Sequence, residues 1–204
     1  MPQAMPTVFV VDDDVSVRES LKLRIRIAGW QPEVFASAHE FLSHPRVQYP
    51  SCLVLDVTMP GLNGFDLQKL VADRVDMPII FISGHGDVPM SVRAMKAGAV
   101  EFLMKPFDDD VLLDAIRQAI DRSDAALARV LALQTLQQRY ASLTQREKQV
   151  MALVVTGRLN KQVAGDLGIQ LITVKLHRGK LMRKMKARTF ADLMTMVGRL
   201  HLAP

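Results

Sequence analysis

The sequence predicts a doubly wound, five-stranded parallel α/β sheet, followed by a long helix and an all-α unit of four helices. The α/β part is indicated by five short apolar segments that alternate with helical patterns, as in βαβ units whose helices cover both faces of a sheet. The long helix is indicated by residues 108–143, which contain neither glycine nor proline. The all-α unit is indicated by four amphipathic segments in the rest of the chain.

The strands of the predicted sheet are short, and three of them are uninterrupted apolar runs. The first helix carries apolar residues at every third or fourth position and ends before Gly29. A short helix begins after Ser37, because Glu40 three residues later completes the pattern of a capping box. We predict strands at Val8–Val11, Glu33–Phe35, Cys52–Leu55, Ile79–Ile82 and Val100–Leu103, and longer helices at Val15–Ala28, Gly64–Arg74 and Val88–Ala97.

The long helix predicts how the two parts are joined. A helix that continues from Asp108 to Tyr140 would be about 50 Å long, which exceeds the usual length in globular domains. Its second half is therefore predicted to be a linker or a dimerising coil, the alternative being two helices that break near Ser123. The predicted domains are residues 1–122 and 141–204, with a linker helix at 123–140.

The second domain opens with a further capping box, formed by Thr144 and Glu147. A short turn at Gly168 separates its middle two helices, which is the arrangement of a helix-turn-helix. In the third helix we expect Val174, Leu176 and Leu181 to pack inward. The first of these four helices is predicted to begin at Thr144 and to end at Gly157. The other three are predicted at Lys161–Leu167, Leu171–Met185 and Thr189–Leu200.

Charge is divided unevenly along the chain. The net charge is +5, but residues 1–122 contain 12 Lys and Arg against 17 Asp and Glu, a balance of −5. Residues 123–204 contain 14 against 4, a balance of +10. This division indicates two different partners, and the basic half favours nucleic acid, with a merely solvated basic surface as the alternative.

Composition also excludes several classes of protein. The single cysteine, Cys52, excludes a disulfide framework and a multi-cysteine metal cluster. No apolar run reaches the roughly 18 residues of a membrane span, and the first residues lack the basic stretch and apolar core of a secretory signal. We therefore expect a cytoplasmic protein with no membrane partner.

Polar side chains follow the predicted strands at the edge where parallel α/β sheets bind ligands. Asp12 and Asp13 follow the first strand, Asp56 the third, Ser83 the fourth and Lys105 the fifth. A single Asp in such a place is more often a cap or turn residue, so the prediction depends on the convergence of all five. Three carboxylates repel one another unless a cation joins them, and a divalent ion such as Mg²⁺ or Mn²⁺ suits an all-oxygen cluster.

Motifs in both halves resemble those of one family. The segments VVDDD, LDVTMPGLNG, FISGHGD and AMKAGAVEFLMKPF, followed by LTQREKQV, NKQVAGDLGI and TVKLHR, resemble the two-component response regulators of the FixJ/NarL class. The resemblance covers about residues 7–120 and 140–200. It implies a receiver domain of the flavodoxin/CheY-like fold, a LuxR-type helix-turn-helix domain, and a cis bond before Pro106. His85, within the third motif, is interpreted as a structural loop residue.

The resemblance assigns roles to the acidic edge of the sheet. It implies that Asp56 accepts a phosphoryl group from a cognate sensor histidine kinase and that Lys105 holds a phosphoryl oxygen. It assigns the metal to the side chains of Asp12, Asp13 and Asp56 and to the backbone carbonyl of Thr58.

The resemblance also identifies a switch formed by Ser83 and Phe102. The Ser83 hydroxyl would bond the phosphoryl group, and the Phe102 ring would turn into the space that it leaves. An ordinary core aromatic is the alternative interpretation of Phe102.

For the second domain the resemblance implies DNA contacts from the helix that begins at Leu171. Arg and Lys reach phosphates and guanine acceptors, whereas Thr and His are shorter readers. Gln170 departs from the family, where Ser usually caps this helix, and Gln is a poorer N-cap. The predicted DNA-binding residues are Asn160, Lys161, Thr173, Lys175, His177, Arg178, Lys180, Arg183 and Lys184.

The predicted function is that of a transcription regulator and not of an enzyme. Phosphorylation would favour a homodimer through residues 88–107, and the dimer would bind double-stranded DNA, with RNA polymerase as a further partner. The resemblance also implies a second dimer surface at Thr189–Leu200, with core packing as the alternative interpretation. Two other functions remain open: a phosphate-independent DNA-binding regulator, and a Mg²⁺-dependent phosphohydrolase with Asp56 as nucleophile. Such enzymes usually carry an acid two residues after the nucleophile, where this chain has Thr58.

Overall fold

The computed structural model describes residues 5–84 and 88–200, so His85 lies outside the described residues. The chain divides into two compact units, residues 1–128 and 129–204. The first unit contains five strands, β1 to β5, at Thr7–Val11, Gln31–Phe35, Ser51–Asp56, Ile79–Ser83 and Glu101–Met104. All neighbouring pairs are parallel and the order is β2-β1-β3-β4-β5, which confirms the predicted sheet.

Helices cover both faces of this sheet, as expected for a doubly wound fold. They are α1 at Val15–Ile27, α2 at Ala38–Ser43, α3 at Gly64–Leu70, α4 at Val88–Lys96 and the long α5 at Asp109–Ala141. One face packs against α1 and the first part of α5, and the opposite face packs against α2, α3 and α4. Every residue of β1, β3 and β4 is buried, which agrees with their almost wholly apolar sequences.

Local sequence signals account for most of the helix ends. Asp14 caps α1 by accepting a hydrogen bond from the amide of Ser16 at 2.7 Å. The predicted length of α3 is wrong, because it ends at Leu70 and not at Arg74. Successive tight turns follow it, and they bury Val71 and Met77 in the core on the way to β4.

The helix α5 begins in the first unit and ends in the second. Its first part packs on the sheet, ending at Ser123, whose buried hydroxyl accepts a hydrogen bond from the Ser51 amide and donates one to the Asp76 carbonyl. Residues 124–135 contain no fully buried side chain. Leu136 and Tyr140 then pack in the core of the second unit.

Within residues 129–200, four helices follow α5: α6 at Gln145–Val155, α7 at Asn160–Leu167, α8 at Leu171–Met185 and α9 at Phe190–Arg199. The capping box of Thr144 and Glu147 opens α6 as predicted. Gly168 ends α7 in the left-handed conformation, with φ 61°, which a residue without a side chain adopts readily. None of the helices in the described part of the chain has the length and apolar character to cross a membrane.

Candidate functional site

The acidic edge of the sheet is assembled by two adjacent parallel strands. Asp12 follows β1 directly and Asp56 is the last residue of β3, so the pairing of these strands brings both carboxyl groups to the same edge. Asp12 and Asp56 are buried, whereas Asp13 is exposed. Carboxylate oxygens of all three residues lie within 4.8 Å of one another. Such an all-oxygen set fits a hard divalent cation like Mg²⁺.

Lys105 brings a positive charge to this edge. Its Nζ donates hydrogen bonds to Oδ2 of Asp12 at 2.7 Å and to Oδ2 of Asp56 at 3.0 Å. Its backbone amide donates to the carbonyl of Ser83 at 2.8 Å, and the bond from Lys105 to Pro106 is cis. One ammonium group thus pairs with two of the three carboxylates of the cluster, so negative charge remains in excess.

The pKa shifts reflect burial opposed by ion pairing. Burial raises the pKa of Asp12, and the hydrogen bond from Lys105 offsets only part of that rise. Burial works to lower the pKa of Lys105, but its hydrogen bonds to Asp12 and Asp56 outweigh this effect and raise the pKa above its ordinary value. The cluster therefore holds its lysine charged.

Two neighbours of the cluster were not predicted from the sequence. Arg18, one turn into α1, donates from Nη1 to the backbone carbonyl of Asp12 at 2.6 Å. Gly64 begins α3 so close to β3 that a Cβ there would collide with the carbonyl oxygen of Asp56. The amide of Thr58 donates to Oδ1 of Asp56 at 3.2 Å, which orients that carboxylate.

Ser83 and Phe102 lie on neighbouring strands. Ser83 ends β4 and is fully buried, next to Ile82, which pairs with Asp56. Phe102 on β5 is half-buried against the core, and its ring centroid lies 6.3 Å from that of Phe81.

The second unit presents the predicted DNA-binding residues unequally. Lys161 at the start of α7 and Lys175, Lys180 and Arg183 on α8 are exposed. Asn160, Thr173, His177 and Arg178 are half-buried, and Nη1 of Arg178 donates to Oδ1 of Asn160 at 2.8 Å. Gln170 makes no side-chain cap, yet α8 still begins at Leu171.

Two side chains of α8 have surroundings that the sequence did not predict. Lys184 is turned into the domain, where its Nζ donates to Oε2 of the buried Glu147 at 2.7 Å and to the Ser142 carbonyl at 3.0 Å. Leu176 does not pack inward, since its exposed fraction is 56 %. Val174 and Leu181 are seven residues apart, which is about two helical turns, so they share a buried face. Leu176 comes two residues after Val174, and this spacing rotates its side chain by about 200°, away from that face.

Comparison with known proteins identifies both units. The family described as response regulator receiver domain matches residues 8–117, and the family described as bacterial regulatory proteins, luxR family, matches residues 141–197. Nodulation protein W of Bradyrhizobium diazoefficiens is 50 % identical over 190 residues, which are 93 % of this chain and 84 % of that protein. The chain belongs to the two-component response regulators.

Other members of the response regulator family agree with this assignment. Transcriptional regulatory protein FixJ of Azorhizobium caulinodans is 42 % identical over 205 residues, covering 100 % of this chain and 97 % of that protein. A low-resolution structure of the response regulator StyR matches with a TM-score of 0.85 and 48 % identity, over 96 % of this chain and 100 % of that one. A crystal structure of full-length FixJ from B. japonicum matches with a TM-score of 0.55 and 36 % identity, over 99 % of this chain and 100 % of that one.

Membership in this family settles the class of activity. The response regulator combines a receiver domain with a LuxR-type DNA-binding domain and regulates transcription, so its partners are a sensor kinase and DNA. The family consists of transcription regulators and not of enzymes. Receiver domains bind Mg²⁺ at an acidic pocket, and Asp12, Asp13 and Asp56 form such a cluster here.

Proposed function

We propose that Asp56 is the phosphoacceptor of this response regulator and that the receiver pocket controls dimerisation and DNA binding. The observation that carries the proposal is the double hydrogen bond of Lys105 to Asp12 and Asp56. It joins the residue that follows β1, the last residue of β3 and the residue that follows β5 at a single edge of the sheet. Lys105 can exchange one carboxylate for a phosphoryl oxygen without leaving this position.

The proposed transfer uses a carboxylate oxygen of Asp56 as nucleophile. This oxygen attacks the phosphorus of the kinase's phosphohistidine, a P–O bond forms, the P–N bond breaks, and the imidazole leaves with the electron pair. Lys105 and the amide of Thr58, both already bonded to Asp56, orient it. Catalysis of this kind depends on positioning and electrostatic stabilisation more than on covalent help.

The residues that would hold Mg²⁺ are Asp12, Asp13 and Asp56, together with the backbone carbonyl of Thr58. The bound ion would offset negative charge on the transferring phosphoryl group. The excess negative charge that remains after Lys105 is paired supports this assignment. Mn²⁺ has the same preference for oxygen ligands and would serve in its place.

We further propose that Ser83 and Phe102 form the switch. Ser83 lies at the end of β4, beside the strand that carries Asp56, and Phe102 is only half-buried. Movement of the hydroxyl toward a phosphoryl oxygen would leave space that the ring can occupy. The readout would be dimerisation through α4 and β5, where Val88, Val92, Met95 and Met104 are exposed apolar residues.

The second unit is proposed to bind DNA through α7 and α8, with a linker at residues 123–140. Exposed Lys161, Lys175, Lys180 and Arg183 would reach phosphates and bases, and the half-buried Asn160, Thr173, His177 and Arg178 would flank them. Lys184 is left out, because its ammonium group is engaged with Glu147. A cytoplasmic location, a second dimer surface on α9 and RNA polymerase as a partner complete the proposal.

The test is phosphorylation of the full chain by acetyl phosphate with Mg²⁺, followed by intact mass spectrometry. The wild-type chain is expected to gain one phosphoryl group and Asp56→Asn none. Asp121→Asn, which removes an exposed carboxylate on α5, is the matched control and should behave like the wild type. Unchanged stoichiometry in Asp56→Asn would refute the assignment.

A second measurement separates this proposal from a phosphate-independent regulator. Beryllofluoride, a phosphoryl mimic, should increase both dimerisation and DNA affinity of the wild-type chain and change neither in Asp56→Asn. Equal DNA affinity with and without beryllofluoride in the wild type would favour the phosphate-independent alternative.

A further inference from the structure

The outward face of α8 is a continuous stripe with an unusual composition. Its members recur three or four residues apart, so they share one side of the helix, opposite the buried residues Val174, Leu181 and Met185. All of them are exposed. The stripe consists of Ile172, Lys175, Leu176, Gly179, Lys180 and Arg183.

Two large apolar side chains open this stripe. Ile172 is 67 % exposed and Leu176 is 56 % exposed, and one helical turn separates them. Single exposed apolar residues are common on protein surfaces. Here, however, two neighbours occupy the first turns of the helix that follows the helix-turn-helix turn, where base contacts are made in such domains.

The charges beside this pair restrict what can cover it. Every ionisable residue of α8 other than His177 is a lysine or arginine. A second copy of this face would bring like charges together, which opposes association. Double-stranded DNA instead offers phosphates to Lys175, Lys180 and Arg183, and apolar surface to the pair in the major groove.

Gly179, in the middle of the stripe, supports a close approach to DNA. Apart from its chain neighbours and the nearby backbone of α8 itself, a Cβ at this position would meet no protein atom within 4 Å, so packing inside the domain does not require glycine. Glycine inside a helix costs about 1 kcal/mol relative to alanine. The absence of a side chain leaves the helix backbone open between the apolar pair and the two cations that follow.

We infer that Ile172 and Leu176 are specificity-determining residues that pack against the 5-methyl groups of thymine in the binding site. Neither side chain carries a hydrogen-bonding group, and the thymine methyl is the apolar feature that bases display in the major groove. The inference rests on the DNA-binding function of the second unit. It adds apolar readout to contacts that were predicted only from polar side chains.

The test uses the full chain, phosphorylated with acetyl phosphate. A preferred site is first selected from random double-stranded DNA, and each thymine of that site is then replaced by deoxyuridine, which lacks only the methyl group. For the wild type, replacement at one or more positions should weaken binding by about fourfold per methyl. In Ile172→Ala and Leu176→Ala, the ratio between the thymine and deoxyuridine sites should fall to about one at those positions.

Two control variants separate this effect from general losses. Ile27→Ala changes an apolar residue that is 77 % exposed on α1, and it should retain the wild-type ratio. Lys175→Ala should weaken binding to both sites and also keep the ratio, because a phosphate contact is indifferent to the methyl group. The inference would be wrong if the wild type bound the thymine and deoxyuridine sites with equal affinity, or if both alanine variants kept the wild-type ratio between them. Either result would leave the DNA-binding function of the second unit intact. Failure to bind any DNA would overturn the DNA-binding function as well.

Discussion

Each unit of this response regulator contains a lysine that pairs with buried carboxylates, but the two clusters differ in charge balance. In the receiver, Lys105 pairs with Asp12 and Asp56, and the Asp13 carboxylate lies near both of these. In the second unit, Lys184 pairs with Glu147 alone, and the same Glu147 oxygen accepts the Thr144 amide at 2.8 Å. The first cluster has unpaired negative charge, and the second is neutral with its hydrogen bonds made.

The pKa shifts separate the clusters in the same way. Burial raises the pKa of Asp12 in spite of Lys105. Burial works in the same direction on Glu147, but the bonds from Lys184 and Thr144 outweigh it and hold the pKa of that carboxyl below its ordinary range. We therefore interpret the Lys184 pair as structural and the Lys105 cluster as a site that needs a further cation.

The largest stability effect is expected from Lys184→Met. This change leaves Glu147 buried without a cation, and breaking such a pair costs 3–5 kcal/mol when both groups are buried. Because a third of the Lys184 side chain is exposed, we expect a loss of about 3 kcal/mol in the second unit. Hydrogen exchange of the α6 and α8 amides in the full chain measures it.

The double variant Lys184→Met with Glu147→Gln is the control for this prediction. It buries no charge, so it should recover part of the lost stability. If the double variant were as unstable as Lys184→Met, the loss would come from packing of the lysine stem and not from the unpaired carboxylate.

A smaller loss of stability in the second unit is expected from Glu147→Gln, and this loss should depend on pH. The pKa of Glu147 is lower in the folded state than its ordinary value of 4.5, so its contribution is fully present above that value. The contribution is lost as the pH falls through the lower, folded-state pKa. At pH 7, Glu147→Gln should destabilise the second unit by about 2 kcal/mol.

The measurement is the difference in unfolding free energy between the wild type and Glu147→Gln from pH 7 down to pH 3. We expect this difference to shrink with falling pH, because protonated Glu and Gln are both neutral. A difference that stays constant over this range would contradict the proposed ion pair.

The smallest change in stability is expected when Mg²⁺ binds to the receiver. At a free concentration about five times the Kd, binding to the folded state adds about 1 kcal/mol. Hydrogen exchange of β1 and β3 should slow with added Mg²⁺, whereas exchange in α6 and α8 should not change. Asp13→Asn should reduce the slowing of hydrogen exchange that Mg²⁺ causes in β1 and β3. If Mg²⁺ slowed exchange equally in α6 and α8, this would argue against a site specific to the receiver.

Most of the fold was predictable because it follows from short-range patterns. All five strands were predicted, three of them from uninterrupted apolar runs, and the boundaries of β1, β3, β4 and β5 shifted by at most one residue. Since parallel strands end at a common edge, the positions of Asp12, Asp56 and Lys105 after their strands already predicted their convergence. The end of α3 was missed, because it depends on where Val71 and Met77 find space in the core.

The sequence by itself determined the doubly wound sheet, the helix-turn-helix, the capping boxes and the acidic edge, since each depends on residues within a few positions or on the direction of a strand. Tertiary structure alone decided the partner of Lys184, which lies 37 residues away at Glu147, and the closeness of Gly64 to Asp56. It also decided which face of α8 packs inward, and therefore that Ile172 and Leu176 lie beside the cations. Long-range packing selects these contacts, because many side chains satisfy the local pattern and only the folded core determines which of them are covered.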